Sequence, residues 1–362
     1  MKQFIHIYQP TLSGNESKYV NECLDTGWIS SKGKFVGCFE KTFSEYLHGG
    51  YAASVCNGTA ALHLALHTLG IGAGDEVIVP TLTYIASVNA IAYVGAKPVF
   101  VDSELGTWNI DASQIEKKIT SKTKAIMAVH LYGAACNMTD LKKICHQHGL
   151  LLIEDAAEAF GSKYNDQFVG TFGDIATFSF FGNKTITTGE GGMVLTNSKD
   201  LIERAAYLKS QAVSKDREYW HDEIGFNYRM TNIAAAIGLA QLEQAESIIN
   251  KKREIALWYQ TELANMPFTF QHEENQTKHS YWMVSILADS QEKRDLIRNS
   301  LKEAGVETRP LFYPAHTMPT FYSDNVFPIA ENLSSRGLNL PSYNSLTRNQ
   351  VNFICNIVKK CI

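Results

Sequence analysis

The sequence predicts an α/β protein: a large domain with a mostly parallel sheet flanked by helices, then a smaller C-terminal α/β domain. Three observations carry this expectation. From residue 52 to about 195, strand-like apolar runs alternate with helix-patterned segments, the order that builds parallel sheets covered on both faces. The runs "VIV" and "LLLI" are apolar throughout, as strands buried on both sides tend to be. A chain of 362 residues with 45% hydrophobic content is long enough for two cores, at roughly 100–200 residues per domain.

Taken in order, "AASVCN" reads as a strand, "GTAALHLALHTLG" as a helix, "DEVIVP" as a strand and "YIASVNAIAYVG" as a helix. "KPVFVD", "KAIMAVHLYG" and "LLLIED" continue the strands, with helices expected at "DASQIEKKIT" and "DLKKICHQHG". Residues 231 to about 258 predict one long helix. "SYWMVSIL" follows as a strand, "SQEKRDLIRNSLKEAG" as a helix, and "QVNFICNIVKKC" as the closing helix. The expected division is 1–240 for the large domain with its N-terminal arm, and 241–362 for the small one. In such folds ligands gather at the carboxyl ends of the strands.

Composition narrows the function classes. Thirty-three Lys and Arg against 37 Asp and Glu leave a formal charge of −4, which argues against nucleic acid as a partner. The seven cysteines are scattered and form no C-x-x-C pair, so reduced thiols and no metal site are expected. "MKQFIHIYQPTLSG" lacks the apolar core of a secretory signal, and no run reaches the ~18 apolar residues of a membrane span. A cytoplasmic location without membrane attachment is the resulting expectation.

One lysine stands apart. Lys184 in "TFSFFGNKTITTGEGGMV" follows Phe178, Phe180 and Phe181, whose burial would desolvate its amine and favour the neutral, nucleophilic form that a Schiff-base lysine needs. The following "TGEGG" is expected to let the backbone pass close to a cofactor. Asn57, Gly58 and Thr59 in "VCNGTAAL" lie between strand and helix, where free N–H groups hold a phosphate or a polar side chain caps the helix. No G-x-x-x-x-G-K-[ST] occurs, and "GIGAGD" lacks the dinucleotide spacing.

Asp155 ends "LLLIED" with Glu158 just after it. A carboxylate there either caps the next helix or faces a pyridinium nitrogen. Tyr84 in "PTLTYIAS" either packs in the core or stacks on a flat ring. A phosphate cradle, a stacking aromatic, an acidic strand end and a semi-buried lysine are, together, the parts of a pyridoxal phosphate site.

Longer blocks in fixed order carry a resemblance. "GWISSKGKFV", "NGTAALHLAL", "GDEVIVPTLTYIASVNAI", "HLYG", "IEDAAEAFGSKY", "VGTFGDIATFSFFGNKTITTGEGGMV", "YWHDEIGFNYRMTNIAAAIGLAQLEQ" and "RPLFYPAHTMP" resemble the nucleotide-sugar aminotransferases of the fold-type I pyridoxal phosphate enzymes over nearly the whole chain. The resemblance implies that Lys184 binds the cofactor covalently, Asp155 pairs with the ring nitrogen, and Tyr84 stacks on the ring. Gly58, Thr59 and Ser179 would hold the phosphate, and Glu158 would lie near the ring hydroxyl. Many relatives carry glutamine at that last position, so an acid there has to share a proton or raise its pKa.

A dehydratase branch of the family replaces the lysine by histidine, so Lys184 points to transamination. The implied amino donor is L-glutamate. The implied acceptor is GDP-4-keto-6-deoxymannose, aminated to GDP-perosamine for O-antigen assembly; another nucleotide-linked keto sugar is the alternative. Trp28, Ser30, Arg309, Tyr313 and His316 are the candidates for substrate contacts. Asn227 and Arg229 in "GFNYRMTN" would reach a neighbouring subunit's cofactor region, which implies a homodimer with shared sites, or a tetramer. A non-catalytic regulator on the same fold would not need Lys184 and Asp155 together, and a NAD-dependent epimerase would need the missing glycine fingerprint.

Overall fold

The computed structural model describes residues 4–362. Its centre is a seven-stranded sheet in the order Tyr51–Val55, Gly192–Thr196, Ile175–Ser179, Leu151–Asp155, Thr123–Val129, Glu76–Pro80, Lys97–Val101. Only Gly192–Thr196 runs against the others. Period-two alternation splits each strand between two cores. Ile78, Ile126, Leu152 and Phe178 face one side, under helices Lys34–Tyr46 and Met138–His148. Val77, Val79, Met127 and Ile153 face the other, under helices Gly58–Thr68, Ile85–Tyr93 and Lys199–Leu208.

A four-stranded antiparallel sheet forms the C-terminal part, in the order Thr269–Phe270, Val284–Leu287, Gly337–Leu340, Arg309–Pro310. Its core joins Ile286 and Leu338 to Tyr259, Ile297 and Ile354 from helices Ala245–Glu262, Gln291–Glu303 and Arg348–Lys359. The chain start belongs to this core as well: Ile5 is buried there, its N–H donates to Gly305 O, and Glu307 N–H donates to Ile5 O, both at 2.8 Å.

Three sequence expectations are corrected. The long helix over 231–258 is two helices, Asn232–Leu242 and Ala245–Glu262. The first is buried beside helices Glu16–Thr26 and Lys34–Tyr46; the second starts on the same core with Ala245, Ile248 and Ile249 and enters the C-terminal core with Ile255 and Tyr259. Gln244 leaves helical geometry, with the preceding Glu243 held by Asn15 at 2.7 Å and Tyr19 at 2.6 Å. "DASQIEKKIT" forms two 3-10 turns, because the Asp111 carboxylate accepts from Ser113 and Gln114 and competes with helical bonding. In "SYWMVSIL" only Val284–Leu287 is strand.

Candidate active site

Five sheet strands deliver their carboxyl ends to one cavity of about 580 Å³. Gly58, Thr59, Tyr84, Asp155, Glu158, Ser179, Lys184 and Arg309 all line it. The fold explains the convergence, since parallel strands present all their carboxyl ends at one edge of the sheet.

At one end of the cavity, helix Gly58–Thr68 begins. Asn57 caps it by accepting from Ala60 N–H at 2.8 Å, so for this residue the capping account holds. The first-turn N–H groups of Gly58 and Thr59 have no partner within the helix. A Cβ on Gly58 would stand 2.7 Å from Ser179 Cβ, and one on Gly192 would stand 2.5 Å from Asn57 O. Glycine at both positions lets the helix start, the Ser179 hydroxyl and the antiparallel strand close into one anion cradle. The close approach expected of "TGEGG" is thus to the Asn57–Gly58 turn.

Asp155 is buried at its strand end. Its Oδ2 accepts from Ser87 Oγ at 2.7 Å and its Oδ1 from Ala157 N–H at 3.1 Å. Burial raises its pKa, with those two donors and Lys184 opposing the shift. Lys184 Nζ lies 3.6 Å from Glu158 Oε1 and 3.8 Å from the centre of the Trp282 ring. Phe178 and Phe180 are buried beneath it as expected, but Phe181 is 48% exposed and lines the cavity instead.

The Lys184–Glu158 pair is biased towards its neutral forms. Burial lowers the lysine pKa, with Glu158 and Asp155 resisting. Burial likewise raises Glu158 to about 7, against the pull of Lys184 and of the Tyr132 N–H that donates to Oε2 at 2.9 Å. A carboxyl pKa raised on folding favours the native state below the unfolded value of 4.5. That advantage is lost as pH rises through the folded value. Cofactor-free Glu158→Gln protein should therefore gain stability relative to the parent as pH climbs from about 4.5 past 7, by ~1–3 kcal/mol. Melting curves across that range check this, and parallel pH profiles for the two proteins would contradict it.

The structure leaves other candidates outside the cavity. His316 is buried, with Nδ1 on Thr81 Oγ1 at 2.7 Å and Nε2 on Glu331 at 3.2 Å. Both ring nitrogens are engaged, so in this arrangement it braces its loop and does not line the cavity. Trp28, Ser30 and Tyr313 are exposed and do not line the cavity. Asn227 and Arg229 are bonded to each other at 3.0 Å and also lie outside it.

Residues not singled out from sequence complete the walls. Ser87 holds Asp155, His63 bonds Tyr228 at 2.9 Å, and Trp282 and Phe312 stack on Tyr132, itself buried behind the lining, at 6.0 and 5.1 Å. Tyr132 and Trp282 lie in the strings "HLYG" and "SYWM", which carry no periodicity that marks a site. Among the described residues no cluster of His, Cys, Asp and Glu could hold a metal ion, and no helix is long and apolar enough to cross a membrane.

A family model described as the DegT/DnrJ/EryC1/StrS aminotransferase family matches residues 10–359. The chain belongs to that family. Its aminotransferases depend on pyridoxal 5'-phosphate, and the cavity suits that group: its lining includes an anion cradle, a buried carboxylate at a strand end and a desolvated amine. The chain is 58% identical over 360 residues to a GDP-perosamine synthase of Escherichia coli O157:H7, covering 99% of this chain and 98% of that one. It is 51% identical to the Vibrio cholerae GDP-perosamine synthase, with 98% of each covered. Among solved structures, a sugar aminotransferase of Streptococcus pneumoniae in its PLP-form superimposes with a TM-score of 0.94 at 27% identity, covering 99% of this chain and all of that one.

Proposed function

We propose that this protein is a GDP-perosamine synthase, moving an amino group from L-glutamate to the C4 keto group of GDP-4-keto-6-deoxy-D-mannose to supply O-antigen and lipopolysaccharide biosynthesis. The observation that carries the reading is the end-to-end 58% identity to the Escherichia coli relative. Lys184, Asp155 and the Gly58–Ser179 cradle at one cavity support it.

Pyridoxal phosphate, when bound, supplies an electron sink for the carbon that loses its proton. The chain does the rest. Gly58 and Thr59 N–H groups with Ser179 Oγ hold the phosphate, and the positive end of helix Gly58–Thr68 adds to its affinity. Asp155, kept in place by Ser87 and Ala157, would pair with the ring nitrogen and keep a proton on it. Tyr84, 56% exposed and 5.5 Å from Phe312, forms the stacking wall. Lys184 Nζ would be the group that holds the cofactor covalently, and its free amine would take and return the proton. Burial lowers its pKa, which favours the neutral amine that a base has to be. Arg309 lines the cavity half-exposed, its one ion pair among the described residues being to Glu307 at 3.6 Å, and is placed to meet a substrate anion.

The test is to incubate purified protein with L-glutamate, pyridoxal phosphate and a panel of GDP-, UDP- and dTDP-linked keto sugars, and to weigh the products. Amination of the GDP-linked 4-keto sugar above all others is expected. Preference for a UDP- or dTDP-linked acceptor would reject the acceptor assignment while leaving the family intact.

The same reading makes the protein a cytoplasmic homodimer, or a dimer of dimers, in which each site draws on both chains. Its support is that Asn227 is exposed, Arg229 is half-buried, and neither lines the cavity that holds Lys184. Mixing inactive Lys184→Ala protein with an inactive Asn227→Ala, Arg229→Ala double mutant should restore about half the parental activity per hybrid, because one of the two sites then holds no defect. Hybrids that form and stay inactive would place the residues within their own chain's site.

A further inference from the structure

Two hydrogen bonds hold consecutive peptide carbonyls at the reactive lysine. Trp282 Nε1 donates to Asn183 O at 2.6 Å, and Tyr8 Oη donates to Lys184 O at 2.5 Å. Neither donor belongs to the strands that build the site. Tyr8 lies 176 residues from Lys184 and Trp282 lies 99 from Asn183. The Trp282 indole also places its face 3.8 Å from Lys184 Nζ, where a ring quadrupole attracts an ammonium and restrains its position.

Both donors are anchored on the C-terminal core. Trp282 sits two residues before strand Val284–Leu287. Tyr8 ends an arm whose Ile5 is bonded to Gly305 and whose Ile7 O accepts from Ser342 N–H at 3.1 Å. Beneath the Tyr8 ring, 5.2 Å from Nζ to centroid, lies Lys252, wholly buried and donating to Ser342 O at 2.9 Å. Among the described residues no carboxylate pairs with that lysine, so its attachments within the core are the Ser342 oxygens and the Tyr8 ring. Lys184 N–H bonds Phe181 O at 2.9 Å, which ties the turn only to itself. Without Tyr8 and Trp282, both carbonyls would be left to the mobility of a glycine-flanked turn.

We propose that Tyr8 and Trp282 are positioning residues: a clamp from the C-terminal part that fixes the Lys184 backbone on the sheet and keeps its amine over the cavity. The inference rests on Lys184 being the reacting amine. It also gives the N-terminal arm a task, since the arm carries one of the two contacts.

Tyr8→Phe removes the hydroxyl alone, and Trp282→Phe removes the indole N–H while keeping an aromatic face. Hydrogen exchange of the cofactor-free proteins should show the amides of residues 181–188 exchanging about fivefold faster in each variant, the size of one lost hydrogen bond. The core helices should be unchanged. Turnover should fall by a similar factor, with KM for glutamate within about twofold. Unchanged exchange and turnover would overturn the clamp. Faster exchange spread across the whole C-terminal core would also overturn it, by reducing Tyr8 and Trp282 to structural parts. Borohydride reduction of the loaded parent separates the premise: label on any lysine other than Lys184 overturns the assignment of the reacting amine, and the clamp's catalytic meaning with it.

Discussion

Lys184→Ala protein should fold normally and turn over about four orders of magnitude more slowly than the parent, because one substitution removes both the attachment point and the proton carrier. The fold should tolerate the change. The side chain is 12% exposed and touches Glu158 and the Trp282 face, so its loss leaves a small gap and an acid that burial already pushes to about 7. That acid takes up a proton in place of its lost partner. Turnover measured with excess pyridoxal phosphate and thermal melting of the same samples check both halves. Activity within a hundredfold of the parent, in protein of parental stability, would remove Lys184 from its role. In the parent, borohydride should fix the cofactor to the peptide carrying this residue.

Asp155→Ala should slow turnover by roughly two to three orders of magnitude, the range found when a preorganised charge is removed from a reacting centre. Cofactor attachment at Lys184 should persist. The physical reason is that an uncharged side chain cannot keep a proton on the ring nitrogen, so the ring withdraws electrons less strongly. Some loss of stability is expected too, because Ser87 Oγ loses its 2.7 Å acceptor and keeps only Thr83 at 3.0 Å. Single-turnover absorbance separates the two effects: attachment at the parental rate with slow amine transfer supports the role. Near-normal turnover would show that Asp155 only caps the chain after its strand.

What could be read from the chain followed from local rules. Alternating apolar runs and helix periods are dictated by backbone geometry, so the parallel sheet and the strand ends bearing Gly58, Tyr84, Asp155 and Lys184 were visible in one dimension. The same rules missed where an uninterrupted helical pattern has to bend. Nothing in "AQLEQAES" breaks a helix; at the split, Glu243 is held by Asn15 and Tyr19, which lie 228 and 224 residues away along the chain.

The sequence by itself determined the chemistry on offer: a desolvated lysine, a strand-end acid and a glycine turn, each set by neighbours within a few positions. Only the tertiary structure decided which groups meet. Asp155 and Ser87 are 68 residues apart, Trp282 and Asn183 are 99, and Tyr8 reaches Lys184 across 176. It also withdrew His316 from the cavity by giving both its nitrogens to Thr81 and Glu331. Such pairings leave no periodic trace, because a hydrogen bond depends on distance and angle in space, and spacing along the chain encodes neither.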